Sequence, residues 1–234
     1  MGRERAADEL RPLRMHLGYT EMTAGSVLIE MGRTRVLCTA AIESDVPRWM
    51  RDTGKGWVTA EYGMLPGSSS ERIGRDQYQK GRALEISRLI GRALRSVVDL
   101  KTMGECMVRV DCDVLQADGG TRTAAITGAW VALSHALEDS VVRGIIPKNP
   151  ILDQVAAVSV GLVEGELMLD LEYEQDVKAE VDMNVVMSGR GLLVEVQGTA
   201  EGAPFSRDEL NRMLDLAQSG IQQLVDAQRR AVAP

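Results

Sequence analysis

Hydrophobic and polar residues alternate with a period of two along several short stretches of this chain, which is the pattern of half-buried β-strands. Gly25 to Ile29 and Thr34 to Ala40 are β-rich runs on either side of the turn-like Met31-Gly32-Arg33, and they predict a hairpin. Gly56 to Tyr62 and Met107 to Val114 predict two further strands. The first part of the chain is therefore expected to contain a sheet.

Helical periodicity appears in three places. From Arg82 to Met103 apolar residues recur every three or four positions, and Gly104 stands where a helix would end. A second helix is predicted over residues 124–140, and a third over 206–229. Ser206 and Glu209 have the spacing of a capping box at the start of that last helix.

The order of elements in the first part returns in outline after a connector. Residues 144–150 are rich in Pro, Gly and Asn and predict a domain boundary. Beyond it the predicted strands are Val155 to Leu162, Glu166 to Tyr173, Glu180 to Met187 and Leu192 to Gly198. We therefore predict an internal duplication, with domains at 9–143 and 151–228 and a disordered tail at 229–234.

Composition excludes several classes of protein. The 234 residues are 44% hydrophobic, which suffices for a large core, but no apolar run approaches the roughly 18 residues of a membrane span. The first residues are charged and lack the apolar segment of a signal peptide, so a cytoplasmic location without a membrane partner is expected. Three scattered cysteines predict free buried thiols. Two histidines and no CxxC make a zinc site improbable.

Charge is unevenly distributed along the chain. The net charge is −7, yet residues 1–100 are net positive and residues 101–234 are strongly negative. This division fits a basic path for a polyanion that leads to a carboxylate-lined site. It fits equally well two solvated surfaces of different composition, and charge alone does not choose between them.

Residues 111–132, DCDVLQADGGTRTAAITGAWVA, combine a strand, a Gly-Gly turn and a helix. We expect Thr121 or Thr123 to cap a helix that starts near Ala124. The free N–H groups and the positive end of such a helix favour an anion, and Arg122 adds donors that match phosphate oxygens. The alternative is an ordinary turn with a surface arginine.

An acidic stretch occupies the second half of the chain. Asp170, Glu172, Glu174 and Asp176 alternate with apolar residues, and Glu180, Asp182 and Asn184 do so again, so up to six carboxylates are expected on one side of neighbouring strands. Such a cluster suits Mg²⁺. A close pair of carboxylates would instead raise one pKa and leave a proton donor. The third interpretation, a polar outer face of a sheet, is preferred for Asp170, Glu172 and Glu174 but not for Asp182.

Arginines accompany a polar loop and the helix that follows it. Residues 67–80 lack apolar periodicity and predict a mobile loop that carries Arg72 and Arg75. Arg82 lies at the predicted helix start, where a cation is unfavourable unless it reaches an anion there or is simply solvated. Arg88, Arg92 and Arg95 form a stripe that is expected to face solvent or another subunit.

Several segments together resemble the bacterial RNase PH phosphorolytic exoribonucleases. The segments are GSVLIEMGRTRVLCTA, GKGWVTAEYGMLP, GRALEISRLIGRALRSVVDL, DCDVLQADGGTRTAAITGAWVAL and AEVDMNVVMSG, and the similarity runs from about Glu9 to Ala227. The run VLQADGGTRTA is highly specific. Motifs of P-loop NTPases, dinucleotide enzymes and α/β-hydrolases are missing.

The resemblance implies a fold, an assembly and a reaction. The fold class is α/β (α+β), the RNase PH fold with two pseudo-duplicated βαβ-type halves (ribosomal protein S5 domain 2-like). The assembly is a homohexamer, a trimer of dimers. In the reaction, inorganic phosphate as co-substrate attacks the 3′-terminal phosphodiester of RNA, chiefly the 3′ end of tRNA precursors, and releases nucleoside diphosphates. These are the properties of a tRNA nucleotidyltransferase in tRNA 3′-end maturation, and rRNA processing is a further expectation.

Residue by residue, the resemblance implies the following roles. Phosphate is bound by Arg82, Gly120, Thr121 and Arg122. The catalytic aspartates, which are also the metal ligands if Mg²⁺ is the cofactor, are Asp176 and Asp182, and RNA is guided by Arg72 and Arg75. One departure from the family pattern concerns residues 67–80, which are shorter than usual and have Gly67, Asp76 and Gln79 in place of basic residues.

Two other functions remain open from the sequence. One is a non-catalytic RNA-binding ring subunit, which the presence of all the site residues disfavours. The other is a metal-dependent hydrolase that uses water and the carboxylates of residues 170–182, and it would release nucleoside monophosphates. Asp111 and Asp113 match no catalytic position of the family and are expected to support the ring or the site indirectly.

Overall fold

The computed structural model of the chain describes residues 5–76 and 81–233. Within these residues the strands are β1 (Leu13–Leu17), β2 (Gly25–Met31), β3 (Thr34–Glu43), β4 (Trp57–Met64), β5 (Met107–Gln116), β6 (Val155–Val163), β7 (Glu166–Leu169), β8 (Ala179–Ser188) and β9 (Leu193–Ala200). The helices are α1 (Gly81–Arg95), α2 (Leu100–Met103), α3 (Thr121–Val142), α4 (Tyr173–Asp176) and α5 (Arg207–Val232), and a 3₁₀ turn lies at Arg48–Met50.

The first sheet has the strand order β1-β2-β3-β5-β4. The predicted hairpin is confirmed as β2 and β3, which pair in antiparallel fashion. β4 pairs with β5 in parallel, and the chain between them forms α1, so this half contains a βαβ unit. The parallel pairing brings the carboxyl ends of β4 and β5 to the same edge of the sheet, next to the start of α3.

The helix predicted over 82–103 is interrupted. α1 ends at Arg95, Val98 forms an isolated bridge to Ile151, and the chain then starts α2. The Asp99 side chain caps α2 by accepting a hydrogen bond from the Lys101 amide at 3.1 Å. The periodicity ran through the break because Val97, in the turn that follows α1, and Val98, in the bridge, are both buried. Gly104 ends α2 as expected, with φ of 66°.

α3 is the central element and is buried on nearly all sides. Its small and apolar side chains allow it to pack against β2 and β3 on one side and against β6 and α5 on the other. It starts at Thr121, three residues before the predicted start, and its N-cap is Gly120 rather than a threonine. The Thr123 hydroxyl donates to the Gly120 carbonyl at 2.8 Å and therefore does not cap the helix.

The second sheet has the order β7-β6-β8-β9 and is antiparallel throughout, so the βαβ connection is confined to the first half. The predicted strand over 166–173 ends at Leu169. Asp170 adopts φ of 57°, which a continuous strand does not permit. A single hydrophobic cluster contains residues of both halves, from Val27 to Val225, so the two halves share one core.

The last helix extends beyond its predicted end. The capping box of Ser206 and Glu209 is confirmed. α5 continues to Val232, so the prediction of a disordered tail is wrong for residues 229–232. Gln228 explains the extension, because its buried amide donates to the carbonyls of Thr127 and Val155 at 2.9 Å each. Pro234 and residues 77–80 of the predicted mobile loop lie outside the described residues.

Candidate active site

A cleft of about 750 Å³ opens between the start of α3 and the second sheet. Its walls come from both halves of the chain. The residues that line it are Met64, Ser69, Ser70, Glu71, Arg82, Ala117, Gly119, Gly120, Thr121, Arg122, Ser159, Tyr173, Asp176, Val177, Asp182, Asn184 and Glu201. All the residues predicted for phosphate binding and catalysis are among them, although they are separated by up to 100 positions in the sequence.

The floor of the cleft is the Gly119-Gly120 turn before α3. Both glycines have positive φ, 73° and 63°, and a Cβ on Gly119 would come within 2.5 Å of the Leu171 carbonyl oxygen. Glycine is therefore required for the conformation and for the close approach of the second half of the chain. The turn leaves the first amides of α3 facing the cleft, which favours a bound anion.

Two buried side chains hold this turn from behind. The Arg11 guanidinium donates to the carbonyls of Asp118 at 2.7 Å and Gly119 at 3.4 Å. The Thr34 hydroxyl donates to the Gly119 carbonyl at 2.7 Å and accepts from the Asp118 amide at 3.0 Å. The sequence did not identify either residue, because a single arginine and a single threonine carry no periodic signal.

Thr121 is held by a third residue that the sequence did not identify, Tyr62. The hydroxyls of Tyr62 and Thr121 lie 2.8 Å apart, and both side chains are buried. Burial raises the pKa of Tyr62, so its phenol stays protonated. The available signal was the position of Tyr62 near the end of β4, since the carboxyl ends of parallel strands are common sites of function.

The two predicted phosphate-binding arginines come from different helices. Arg82 lies in the first turn of α1 and is exposed. Arg122 lies in the first turn of α3, where its side chain is only 18% exposed. Its Nη1 donates to the Gln197 Oε1 at 3.0 Å and lies 3.8 Å from the Glu85 Oε1. Both contacts are made by Nη1.

Asp176 and Asp182 form the opposite wall. Asp176 ends α4, and Asp182 lies on β8. Burial first, and then the charge of Asp176, raises the pKa of Asp182 to about 6, against the opposing effect of Arg122 and Arg82. Burial also raises the pKa of Asp176. Glu201, a third carboxylate that the sequence did not identify, adds to both shifts.

The expected row of carboxylates on one side of a sheet is wrong. Asp170 is fully buried against Arg11, whereas the sequence favoured a polar outer face for it. Glu172 is the N-cap of α4 and pairs with Arg5 at 3.2 Å. Of the acids in 170–182, Asp176 and Asp182 line the cleft. Strand periodicity failed here because α4 interrupts the stretch.

The predicted RNA-guiding arginines are not part of the cleft wall. Arg72 and Arg75 are exposed, while Ser69, Ser70 and Glu71 of the same loop line the cleft. Gln79, one of the departures from the family pattern, lies outside the described residues. That Arg72 and Arg75 guide RNA stays a prediction.

The arginine stripe of α1 lies elsewhere on the surface. The Arg92 guanidinium makes an ion pair with Glu195 of β9 at 2.8 Å. Arg95 stacks over the ring of Trp57 at 4.2 Å and donates to the Val58 carbonyl. This stripe borders a second groove of about 600 Å³, separate from the candidate site.

The chemistry of the acidic wall fits Mg²⁺. In the described part of the chain no group of three or more His, Cys, Asp or Glu side chains has the arrangement of a metal site. Mg²⁺ nevertheless needs few protein ligands, since it keeps several waters and binds substrate phosphates. The buried Oδ1 of Asp182 has no hydrogen-bond partner among the described residues, so a hard-oxygen ligand is available there.

Comparison with known proteins decides the family. A family model described as "3′ exoribonuclease family, domain 1" matches residues 9–137. A second model, described as "3′ exoribonuclease family, domain 2", matches residues 153–220. The chain belongs to the RNase PH family of 3′ exoribonucleases. It is 56% identical to ribonuclease PH of Corynebacterium efficiens over 97% of this chain and 94% of the relative. It is 54% identical to ribonuclease PH of Corynebacterium kroppenstedtii over 98% and 91%.

Solved structures support the same fold. An Archaeoglobus fulgidus exosome with RNA bound to the active site matches with a TM-score of 0.81 at 19% identity, covering 95% of this chain and 90% of that one. Rice Rrp46 matches with a TM-score of 0.79 at 18% identity, covering 98% and 99%. The RNase PH fold is confirmed. This family member is a phosphorolytic 3′–5′ exoribonuclease that acts on RNA.

None of the described helices is both long enough and apolar enough to span a membrane.

Proposed function

We propose that the cleft binds inorganic phosphate between Arg82, Thr121 and Arg122 and directs it at the 3′-terminal phosphodiester of RNA. The observation that carries this proposal is the meeting of two helix starts, each with an arginine in its first turn, opposite two aspartates. Helix N-termini and guanidinium groups are the usual ligands of phosphate oxygens. The nucleophile and the RNA phosphate are both anions, so their approach requires these cations.

The roles of the chain's own residues follow from the position of their charges. Arg82 and Arg122 offset the repulsion between the two phosphates, and the Thr121 hydroxyl, oriented by Tyr62, fixes one phosphate oxygen. Attack of a phosphate oxygen on the terminal phosphorus forms a nucleoside diphosphate and breaks the bond to the 3′-oxygen of the preceding nucleotide, which then takes up a proton. Positioning and electrostatics supply most of the rate enhancement in such transfers.

Asp176 and Asp182 are the proposed catalytic residues at the leaving group. They are also the proposed ligands of Mg²⁺, which when bound would offset the charge on the departing oxygen. The raised pKa of Asp182 supports this assignment, because a cation placed between two repelling carboxylates relieves the cost of ionising both. The same pKa is compatible with Asp182 as the proton donor, and the pH dependence of the rate distinguishes the two roles.

The proposed substrate is the 3′ end of tRNA precursors. A phosphorolysis assay on a tRNA with a short 3′ extension tests this, with nucleoside diphosphate as the expected product and inorganic phosphate as a requirement. Release of nucleoside monophosphate without phosphate would instead indicate a metal-dependent hydrolase. Binding of the RNA without shortening would indicate a non-catalytic ring subunit.

We also infer a homohexameric ring, a trimer of dimers. Strand β9 lies at an edge of the second sheet and exposes Leu193 and Val196 by 55% and 39%, which supports a surface for self-association. Light scattering should give six times the mass of the 25.5 kDa chain, and a mass of one chain would contradict the ring.

The cytoplasm is the proposed location, supported by three cysteines that remain free thiols.

A further inference from the structure

Two apolar side chains on the α4 wall of the cleft have no role in the proposed chemistry. Tyr173 and Val177 line the cleft and are 60% and 67% exposed. Exposed apolar side chains inside a binding cleft indicate contact with an apolar part of the ligand. Phosphate and ribose offer little apolar surface, whereas a nucleobase has two flat faces.

The helix geometry directs both side chains to the same place as the catalytic carboxylate. Tyr173, Asp176 and Val177 are at positions i, i+3 and i+4, which share one face of the α4 turn. All three line the cleft, so this face of α4 is the face that meets the substrate. The backbone at Leu171 to Tyr173 packs against Gly119, which fixes α4 relative to the phosphate-binding turn.

The charge on α4 distinguishes a base from a phosphate. Asp176, together with Asp182 and Glu201, makes this side of the cleft negative, while the cations Arg82 and Arg122 lie on the other side. RNA phosphates are repelled from the α4 side, and an uncharged base is not. Tyr173 is the sole aromatic residue among the described residues that line the cleft.

We propose that Tyr173, with Val177 beside it, is the platform on which the base of the 3′-terminal nucleotide stacks during phosphorolysis. This inference rests on the proposed function, because it places the attacked phosphodiester between Arg122 and Asp182. The reacting phosphorus is the 5′-phosphorus of that terminal nucleotide, so the stacked base belongs to the same nucleotide as the reacting group. Every base has a π face, so stacking accepts all four bases, as an enzyme that removes successive nucleotides requires.

The test removes each partner of the stack in turn. Tyr173→Ala is compared with the unchanged protein on two RNAs that differ only in whether the 3′-terminal residue carries a base or is abasic. kcat/KM for the base-bearing RNA should fall by about 5- to 100-fold, the usual effect of losing one base–aromatic stack. kcat/KM for the abasic RNA should not change. Tyr173→Phe should behave as the unchanged protein, since it retains the ring.

Tyr19→Ala is the matched control, because Tyr19 is 53% exposed and does not line the cleft. Equilibrium binding of the same RNAs by fluorescence anisotropy gives a second readout in case the abasic RNA turns over too slowly. Equal losses on both RNAs, by either measure, would overturn the proposal. A changed mass of Tyr173→Ala in light scattering would overturn it too, because the ring would then contact another copy of the chain. If the unchanged protein released no nucleoside diphosphate, the proposed function itself would have failed.

Discussion

Arg11 and Asp170 form an ion pair that is closed to solvent and joins the two halves of the chain. Arg11 Nη2 lies 2.7 Å from Asp170 Oδ1, and the Arg11 Nε and backbone amide donate to Oδ2 at 3.0 and 2.9 Å. The two side chains are 2% and 0% exposed. Because Arg11 also binds the Asp118 and Gly119 carbonyls, this pair connects the second half to the phosphate-binding turn.

Asp170→Asn should lower the free energy of unfolding by about 3–5 kcal/mol, because it leaves the Arg11 charge buried without a counter-charge. Urea unfolding at neutral pH measures the change. Asp45→Asn is the control, since the Asp45–Arg51 pair is exposed and contributes little. Equal effects of the two substitutions would show that the buried pair does not hold the halves together.

Asp182→Asn should stabilise the protein above pH 6 while it abolishes activity. Burial raises the Asp182 pKa from 3.8 to about 6, so the folded state binds the proton more tightly than the unfolded state does. The resulting stabilisation of the folded protein is complete below pH 4 and is lost as pH rises through about 6. The gain at pH 8 should be about 1–2 kcal/mol, after allowance for partial exposure. Thermal unfolding at pH 4 and pH 8 measures it, and a gain of equal size at both would contradict the assignment.

The pH dependence of the rate should report the ionised form of Asp182. If Asp182 binds Mg²⁺, kcat/KM should fall as pH decreases through about 6, and added Mg²⁺ should move the midpoint to lower pH. Initial rates of nucleoside diphosphate release between pH 5 and 8 at two Mg²⁺ concentrations give both quantities. A rate that instead falls as pH rises through the same region would identify Asp182 as the proton donor.

Arg82→Ala should lower kcat/KM for phosphate on the order of 100-fold, the typical effect of removing one preorganised group that stabilises developing charge. Arg212→Ala is the matched control, because Arg212 is an exposed arginine of α5 that does not line the cleft. Phosphate titrations at saturating RNA measure both variants. Phosphate dependence that is unchanged in Arg82→Ala would exclude Arg82 from the phosphate site.

Tyr62→Phe should raise the KM for phosphate several-fold and lower the free energy of unfolding by no more than about 1 kcal/mol. The substitution keeps the buried ring but removes the hydroxyl that lies 2.8 Å from the Thr121 hydroxyl, and one such hydrogen bond contributes about 1 kcal/mol. Phosphate KM and the melting temperature are measured together. A large loss of stability with an unchanged KM would make Tyr62 a packing residue alone.

The sequence by itself determined the family, the fold class and most of the secondary structure. Periodicity located the β2–β3 hairpin and the capping box of α5, because these features depend on residues within a few positions of one another. The motifs also named Arg82, Thr121, Arg122, Asp176 and Asp182, and the tertiary structure brings all five to one cleft.

Only the tertiary structure decided what surrounds those residues. Asp170 resembled Asp182 in its alternating context, yet one is a buried partner of Arg11 and the other lines the cleft with a raised pKa. The roles of Arg11 and Tyr62 depend on neighbours 159 and 59 residues away in sequence. Burial and the charges of neighbours that are distant in sequence determine the pKa of each carboxyl group. Local sequence patterns contain information on neither burial nor distant neighbours.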